Sequence, residues 1–168
     1  MNRKHFILQS AAASVPILIA PLKVLAKNSE DPEPYKLDVV KEFVIAGHGK
    51  LDKVKAMLEE YPNLIFSRYD WGNGDFEEAI EGAGHVANKE IANYLIEKGA
   101  RPNLFVLTML GETSIVKSVI EKYPSLLTAK GPHGLSLLHH ATKGGEGSKE
   151  LLEYFKQKGL SEMQYKIK

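Results

Sequence analysis

Apolar residues recur at helical spacing in several short segments after residue 36. In one of them Val54, Met57 and Leu58 stand at positions i, i+3 and i+4, which places them on one face of a helix. The same spacing occurs around Ile91, around Val116 and in the segment that begins at Glu150. A shorter apolar segment precedes each of these helices, at residues 39–46, 76–83, 104–110 and 137–141. The pattern predicts about four pairs of short amphipathic helices.

Two interleaved repeats support this organisation. Leu51–Ile65 and Thr113–Leu127 lie 62 positions apart and share six identical residues, including a Tyr-Pro pair. Glu90–Ala100 and Glu150–Leu160 match at an offset of 60 positions. The chain therefore alternates two types of unit, and the length of each unit is about half of these offsets of 62 and 60 positions. Because a single helix pair cannot bury its apolar stripe alone, the units are expected to stack.

Polar residues, glycines and prolines predict where the helices begin and end. Glycine-rich segments at 70–75 and 131–134 predict tight turns between units. The expected N-caps are Asp52, Ser114 and Ser148, the expected left-handed residues after a helix are Gly99 and Gly159, and the expected helix stops are Pro62 and Pro124.

These units resemble the ankyrin repeat, whose motif runs Gly-x-Thr-Pro-Leu-His-x-Ala-Ala. Gly134–Thr142 follows the motif with Ser136 in place of threonine and Leu137 in place of proline, and residues 90–100 reproduce the Gly-Ala ending of the second helix. The first three units lack the Thr-Pro-Leu-His tetrad of this motif. Glu81 occupies the histidine position of the second unit and Phe105 that of the third. The resemblance covers roughly residues 36–165 and implies an all-α, ankyrin-like helical solenoid with short hairpin-like loops, similar to bacterial exported ankyrin repeat proteins.

The resemblance also implies a non-catalytic module or scaffold that binds another protein, whose identity stays open. It assigns His139 a hydrogen bond that ties neighbouring turns together. The only tryptophan, Trp71, lies in a turn, where it either packs under the loop or forms an exposed anchor. The candidate partner-binding residues are Tyr69, Asp70, Trp71, Asn73, Asp75, Phe76, His133 and Leu135, and the repeat-motif residues are Gly134, Ser136, Leu138, His139, Ala141, Gly99 and Gly159.

The N-terminal segment has the three parts of a secretory signal. Arg3 and Lys4 precede an apolar run interrupted by Pro16 and Pro21, and Ala26 ends the segment before a polar stretch. We predict a signal peptide at 1–26, a linker at 27–35 and the repeat domain at 36–168, with a periplasmic or secreted location. The start resembles twin-arginine signals except at Lys4, so that route and the general secretory route both stay open. A retained anchor and a buried first helix are the alternatives.

Composition narrows the possible partners. The formal net charge is only +1, whereas nucleic-acid binding needs a strongly basic surface. The chain contains no cysteine, which excludes disulfides and thiolate metal ligands. We therefore expect a monomer that binds no nucleic acid and does not insert stably into a membrane after signal removal.

Candidate chemistry is sparse. The alternative function is a metal-binding or catalytic protein. It would use the region of His133, His139 and His140, together with Glu146. Neighbouring residues on a helix point about 100° apart, which argues against joint ligation by His139 and His140. The Glu77-Glu78 pair is interpreted as a solvated face. We therefore predict no catalytic residue, no metal ligand and no cofactor, and a protein that is not an enzyme.

Overall fold

Helices in pairs and one short β-hairpin make up the protein, as seen in a computed structural model that describes residues 32–167. The α-helices are α1 (Leu37–Gly47), α2 (Leu51–Glu60), α3 (Ala79–His85), α4 (Lys89–Glu97), α5 (Leu104–Leu110), α6 (Thr113–Lys122), α7 (Leu137–Gly144) and α8 (Lys149–Gln157). The strands are β1 (Arg68–Asp70) and β2 (Phe76–Glu78), and 3-10 turns cover Pro62–Phe66, Pro124–Thr128, Pro132–Gly134 and Gly145–Ser148. The predicted helical class is confirmed.

The first helices of successive pairs pack on one another in chain order. α1 contacts α3, α3 contacts α5 and α5 contacts α7, while each of them also packs on the second helix of its own pair. The apolar stripes meet in two clusters of buried side chains. Helix α5 joins the clusters, because Val106 and Met109 belong to the first and Phe105 to the second.

A glycine allows α1 and α3 to approach closely. A Cβ atom added at Gly47 would lie 2.3 Å from the backbone oxygen of Ala79, far inside van der Waals contact. This close packing sets the C-terminal end of α1 on the N-terminal end of α3, and the ring of His48, the residue after α1, lies 2.8 Å from that of His85 at the other end of α3.

The glycine and proline signals are confirmed. Gly99 and Gly159 follow α4 and α8 with φ of +100° and +86°. Helices α2 and α6 end two residues before Pro62 and Pro124, and each proline begins a 3-10 turn. Proline is suited to that first position because its missing N–H is not needed there.

Two of the three predicted N-caps are wrong, and the third, Ser148, occupies the N-cap position of α8 without a side-chain cap bond. Helices α2 and α6 begin one residue before Asp52 and Ser114, so both residues lie inside the first turn. Ser148 precedes α8, but its hydroxyl donates to the backbone oxygens of Thr108 and Met109. The side chains that do accept from first-turn amides are those of Asn88, Asn103 and Ser136, and Glu78 forms a capping box with Glu81.

The apolar pattern of residues 76–83 predicted a helix that begins at Phe76. This prediction is wrong for Phe76–Glu78, which is a strand. It pairs antiparallel with β1, with Asp70 opposite Phe76. The chain can reverse tightly between the strands because Gly72, Asn73 and Gly74 all adopt positive φ. The predicted helix therefore starts only at Ala79.

The predicted signal peptide at 1–26 lies outside the described residues, as does most of the linker predicted at 27–35. Within residues 32–167, no helix is both long enough and apolar enough to span a bilayer.

Candidate metal centre

Four side chains from distant segments converge beside the β-hairpin. His48 directly follows α1, Glu77 lies in β2, His85 ends α3, and His133 lies in the 3-10 turn before α7. One nitrogen or oxygen atom from each residue can be chosen so that all four atoms lie within 4.8 Å of one another. We call this set the His/Glu cluster.

The distances within the His/Glu cluster suit a metal ion. The Nε2 atom of His85 lies 2.8 Å from Nε2 of His48 and 2.9 Å from Oε1 of Glu77, and Nε2 of His48 lies 3.4 Å from that oxygen. The Nε2 atom of His133 lies 3.5 Å from the other oxygen of Glu77. Ligands about 2.1 Å from a tetrahedral ion are separated by about 3.4 Å. Small shifts would therefore let these atoms surround one ion.

Glu77 is a fully buried acid whose charge needs compensation. Burial raises the pKa of its carboxyl, but His48 and His85 outweigh burial and bring the pKa down to about 2. The Oε2 atom accepts a 2.7 Å hydrogen bond from Nε1 of Trp71. The Oε1 atom is buried, with Nε2 of His85 2.9 Å away and Nε2 of His48 3.4 Å away. A buried carboxylate is unfavourable unless a cation, either a metal ion or a protonated histidine, neutralises it.

Two of the histidines are held in the tautomer that binds metal through Nε2. The Nδ1 atom of His48 lies 3.0 Å from the carbonyl oxygen of Val44, which can only accept, so Nδ1 carries the proton. The Nδ1 atom of His133 lies 2.8 Å from Oδ2 of Asp75, whose other oxygen accepts from the backbone N–H of His133. A carboxylate that orients a histidine in this way is typical of metal sites.

Aromatic rings surround one side of the His/Glu cluster. The half-buried ring of Trp71 packs edge-on against Tyr69 with centroids 4.8 Å apart, and the ammonium group of Lys41 lies 5.8 Å from the Trp71 ring. The His133 ring lies 6.0 Å from Trp71 and 5.3 Å from His85. Trp71 thus packs under its loop, the first of the two interpretations drawn from the sequence.

Most of the candidate partner-binding residues lie on the hairpin. Tyr69 and Asp70 belong to β1, Trp71 and Asn73 to the turn, and Asp75 and Phe76 follow it. The candidate list also includes His133, a member of the His/Glu cluster, and two residues that contact the cluster: Trp71, which donates to Glu77, and Asp75, which contacts His133. Phe76 is 48% exposed. Leu135 lies apart, in a backbone bridge with Gln164.

Of the alternative set His133, His139 and His140, the structure brings only His133 into the His/Glu cluster. The Nε2 atom of His139 lies 3.1 Å from the backbone oxygen of His85, outside the His/Glu cluster. His140 is buried, with Nδ1 2.8 Å from the backbone oxygen of Ser136. Glu146 pairs with Lys149 on the surface. His133 reaches the cluster because it lies in the turn before α7, whereas His139 and His140 lie inside that helix.

The repeat-motif residues organise the start of α7. The Ser136 hydroxyl accepts from the backbone N–H of His139, while Leu138 and Ala141 are buried. Gly134 has φ of +73°, and a Cβ there would lie 2.0 Å from the backbone oxygen of Tyr165. The contact of His139 with His85 links α7 to the end of α3, which belongs to the second pair, so this tie passes over the neighbouring third pair instead of joining adjacent turns as the resemblance implies.

Sequence reasoning missed His48, Glu77 and His85. Glu77 was interpreted as solvated, which is wrong because its side chain has no exposed surface. A signal for the histidines did exist: the tripeptide Ala-Gly-His occurs at 46–48 and again at 83–85. Both copies end the first helix of a pair, so the repeat places the two histidines at equivalent, neighbouring positions.

No family model, curated protein or solved structure matches this chain. The geometry of the site and the packing of the helices are therefore the observations on which functional proposals rest.

Proposed function

We propose that this protein binds one divalent transition-metal ion through His48, Glu77, His85 and His133. The observation that carries the proposal is the convergence of one possible ligand atom from each of these four residues within 4.8 Å, with the buried Oε1 atom of Glu77 2.9 Å from His85 and 3.4 Å from His48. An ion at this point would neutralise the carboxylate and accept the lone pairs of the imidazoles.

The donor set favours zinc or a similar ion. Three imidazoles and one carboxylate suit Zn²⁺, Co²⁺, Ni²⁺ or Cu²⁺, whereas Ca²⁺ and Mg²⁺ prefer shells of oxygen atoms. The four protein donors match the coordination number that Zn²⁺ takes in structural sites. The proposal assigns binding and no reaction to the site.

The competing explanation for the same geometry is a buried ion pair. The Glu77 carboxylate raises the pKa of His48, so a protonated His48 could neutralise the acid without a metal. A titration of the chain with Zn²⁺ near neutral pH separates the two explanations. Metal binding requires one ion per chain, whereas the ion pair requires none.

The decisive experiment is metal analysis and calorimetry on protein made without a histidine tag. After chelation and dialysis, Zn²⁺ is expected to bind once per chain, and His85→Ala or Glu77→Gln is expected to weaken binding at least tenfold. Glu78→Gln is the matched control: Glu78 is the next residue, but it faces Arg68 instead of the cluster. A wild-type chain that binds Zn²⁺ no better than Glu77→Gln would contradict the proposal.

We further propose an ankyrin-like solenoid as the scaffold and, as a second candidate function, binding of another protein outside the cytoplasm. The packing of α1 on α3, of α3 on α5 and of α5 on α7 supports the scaffold, in which α3 also contacts α7 directly. Exposed apolar side chains such as Phe76 and Tyr123 support a partner surface. Crosslinking in the exporting cell tests it: recovery of one stable partner, lost in Phe76→Ser, is expected, and a chain that stays uncrosslinked would argue against it.

A further inference from the structure

The two oxygens of Glu77 have different surroundings. The Oε2 atom accepts a 2.7 Å hydrogen bond from the indole N–H of Trp71 and lies 3.5 Å from Nε2 of His133, whereas Oε1 faces only histidines, with His85 at 2.9 Å and His48 at 3.4 Å. A carboxylate can bind a metal through one oxygen or through both. A donor aimed at Oε2 uses one of its two lone pairs and draws charge from that oxygen, which makes Oε1 the better ligand.

Trp71 is held firmly enough to enforce this difference. Its backbone N–H donates to the carbonyl oxygen of Asp75 at 2.9 Å, which closes the hairpin. Its ring is packed by Tyr69 on one side, and Lys41 lies near the face of the indole. The hairpin also carries Asp75, which orients His133. The same turn therefore positions two of the four donors.

We infer that Trp71 is a specificity-determining residue that keeps Glu77 monodentate, so that the site selects ions that accept four ligands. This inference rests on the proposed metal binding. With a monodentate Glu77 the three histidines complete four donors, which satisfies Zn²⁺. A bidentate Glu77 would add a fifth donor and favour ions of higher coordination number, such as Mn²⁺.

The test compares Trp71→Phe with the wild type, using Co²⁺ as a spectroscopic probe and Zn²⁺ and Mn²⁺ as competitors. Phenylalanine keeps most of the ring packing but has no N–H. We expect the wild type to show the intense visible bands of four-coordinate Co²⁺, and the variant to show weaker bands. We also expect Zn²⁺ affinity to fall roughly 10-fold or more, as it does when an outer-shell partner is lost, while Mn²⁺ affinity does not fall.

Two further proteins separate the hydrogen bond from general packing. Tyr69→Phe keeps the ring that packs on Trp71 and should leave the Co²⁺ spectrum unchanged. Because Trp71 is the only tryptophan, growth on benzothienylalanine replaces only its N–H group with sulfur and should reproduce the effect of Trp71→Phe even if that variant folds poorly.

The outcomes distinguish the two proposals. A wild-type chain without Co²⁺ bands overturns the metal site and this inference together. A variant and an analogue that both bind Co²⁺ with the wild-type spectrum and the wild-type preference for Zn²⁺ over Mn²⁺ overturn the role of Trp71 and leave the metal site standing.

Discussion

At the scale of single residues, burial decides the role of a titratable group more than its identity does. Glu77 and Glu78 are neighbours in β2, yet Glu77 is fully buried against histidines while Glu78 is partly exposed beside Arg68. Burial raises the pKa of Glu78, whereas the histidines bring that of Glu77 to about 2. Alternation along a strand explains the difference, because adjacent side chains point to opposite faces.

His140 provides a prediction about acid stability. Burial lowers its pKa from 6.5 to about 4, with smaller contributions from His139 and His85, and the Phe105 ring packs against it. The unfolded chain therefore binds the proton more readily than the folded one. The contribution of neutral His140 to stability is complete above about pH 6.5 and is lost as the pH falls toward 4, by up to about 3 kcal/mol.

Urea unfolding of metal-free His140→Gln between pH 7 and 4 checks this expectation. Glutamine can still donate to the backbone oxygen of Ser136 but does not titrate. We expect the variant to lose less stability on acidification than the wild type does. Equal losses in the two proteins would show that His140 does not carry the effect.

At the scale of elements, close contact between helices makes the site possible. His48 and His85 come within reach because α1 and α3 pack with Gly47 against the backbone of Ala79. Gly82 contributes in the same way, since a Cβ there would lie 2.7 Å from the His48 ring. These glycines serve as contact surfaces and not as flexible joints.

Gly47→Ala is therefore expected to destabilise the fold by about 1–3 kcal/mol, because the added methyl group has no room and the helices must separate. Gly49→Ala is the matched control two residues away, where an added Cβ meets nothing within 4 Å and the change should stay within about 0.5 kcal/mol. Thermal unfolding of both variants measures the difference. Similar melting temperatures would contradict the role given to Gly47.

Much of the element order could be predicted from the sequence because the signals are local. The Tyr-Pro repeats at 61 and 123 and the glycines at 99 and 159 act within a turn or two of their own helix. The strand Phe76–Glu78 was not predicted, because Phe76 and the apolar residues that follow in α3 fit one continuous helix equally well. Pairing with β1, which lies outside this segment, makes these three residues a strand.

The site was harder to predict because it depends on tertiary packing. His48 and His85 are 37 positions apart, and Asp75 and His133 are 58 apart. No spacing rule for metal ligands covers such distances. Only the fold shows that the turns before α3 and before α7 meet, which is why His133 was grouped with its sequence neighbours His139 and His140.

At the scale of the whole molecule, the His/Glu cluster connects segments from both ends of the described chain. Its members come from the first pair, from the hairpin and helix of the second pair, and from the turn that begins the fourth. Unfolding would separate all of them. An ion bound here would therefore stabilise the entire unit and not one loop.

Zinc is accordingly expected to raise the melting temperature. At a free concentration 100 times the Kd the gain is about 2.7 kcal/mol, or roughly 5–10 °C for a domain of this size. Differential scanning calorimetry with and without Zn²⁺ measures the shift. At the same Zn²⁺ concentration Glu77→Gln should reduce the shift to about half or less and Glu78→Gln should retain it; a shift of equal size in all three proteins would indicate binding elsewhere.

The meeting of the hairpin with the turn of His133 also restricts how this array can evolve. Neighbouring helices are spaced about 8–10 Å apart, so inserting or deleting one unit between α3 and α7 would carry His133 a full helix width from its companions. Those atoms tolerate no such displacement, since they lie within 4.8 Å of one another. Repeat arrays commonly grow and shrink by whole units. This one can keep its histidine–glutamate centre only if the number of units between α3 and α7 stays the same.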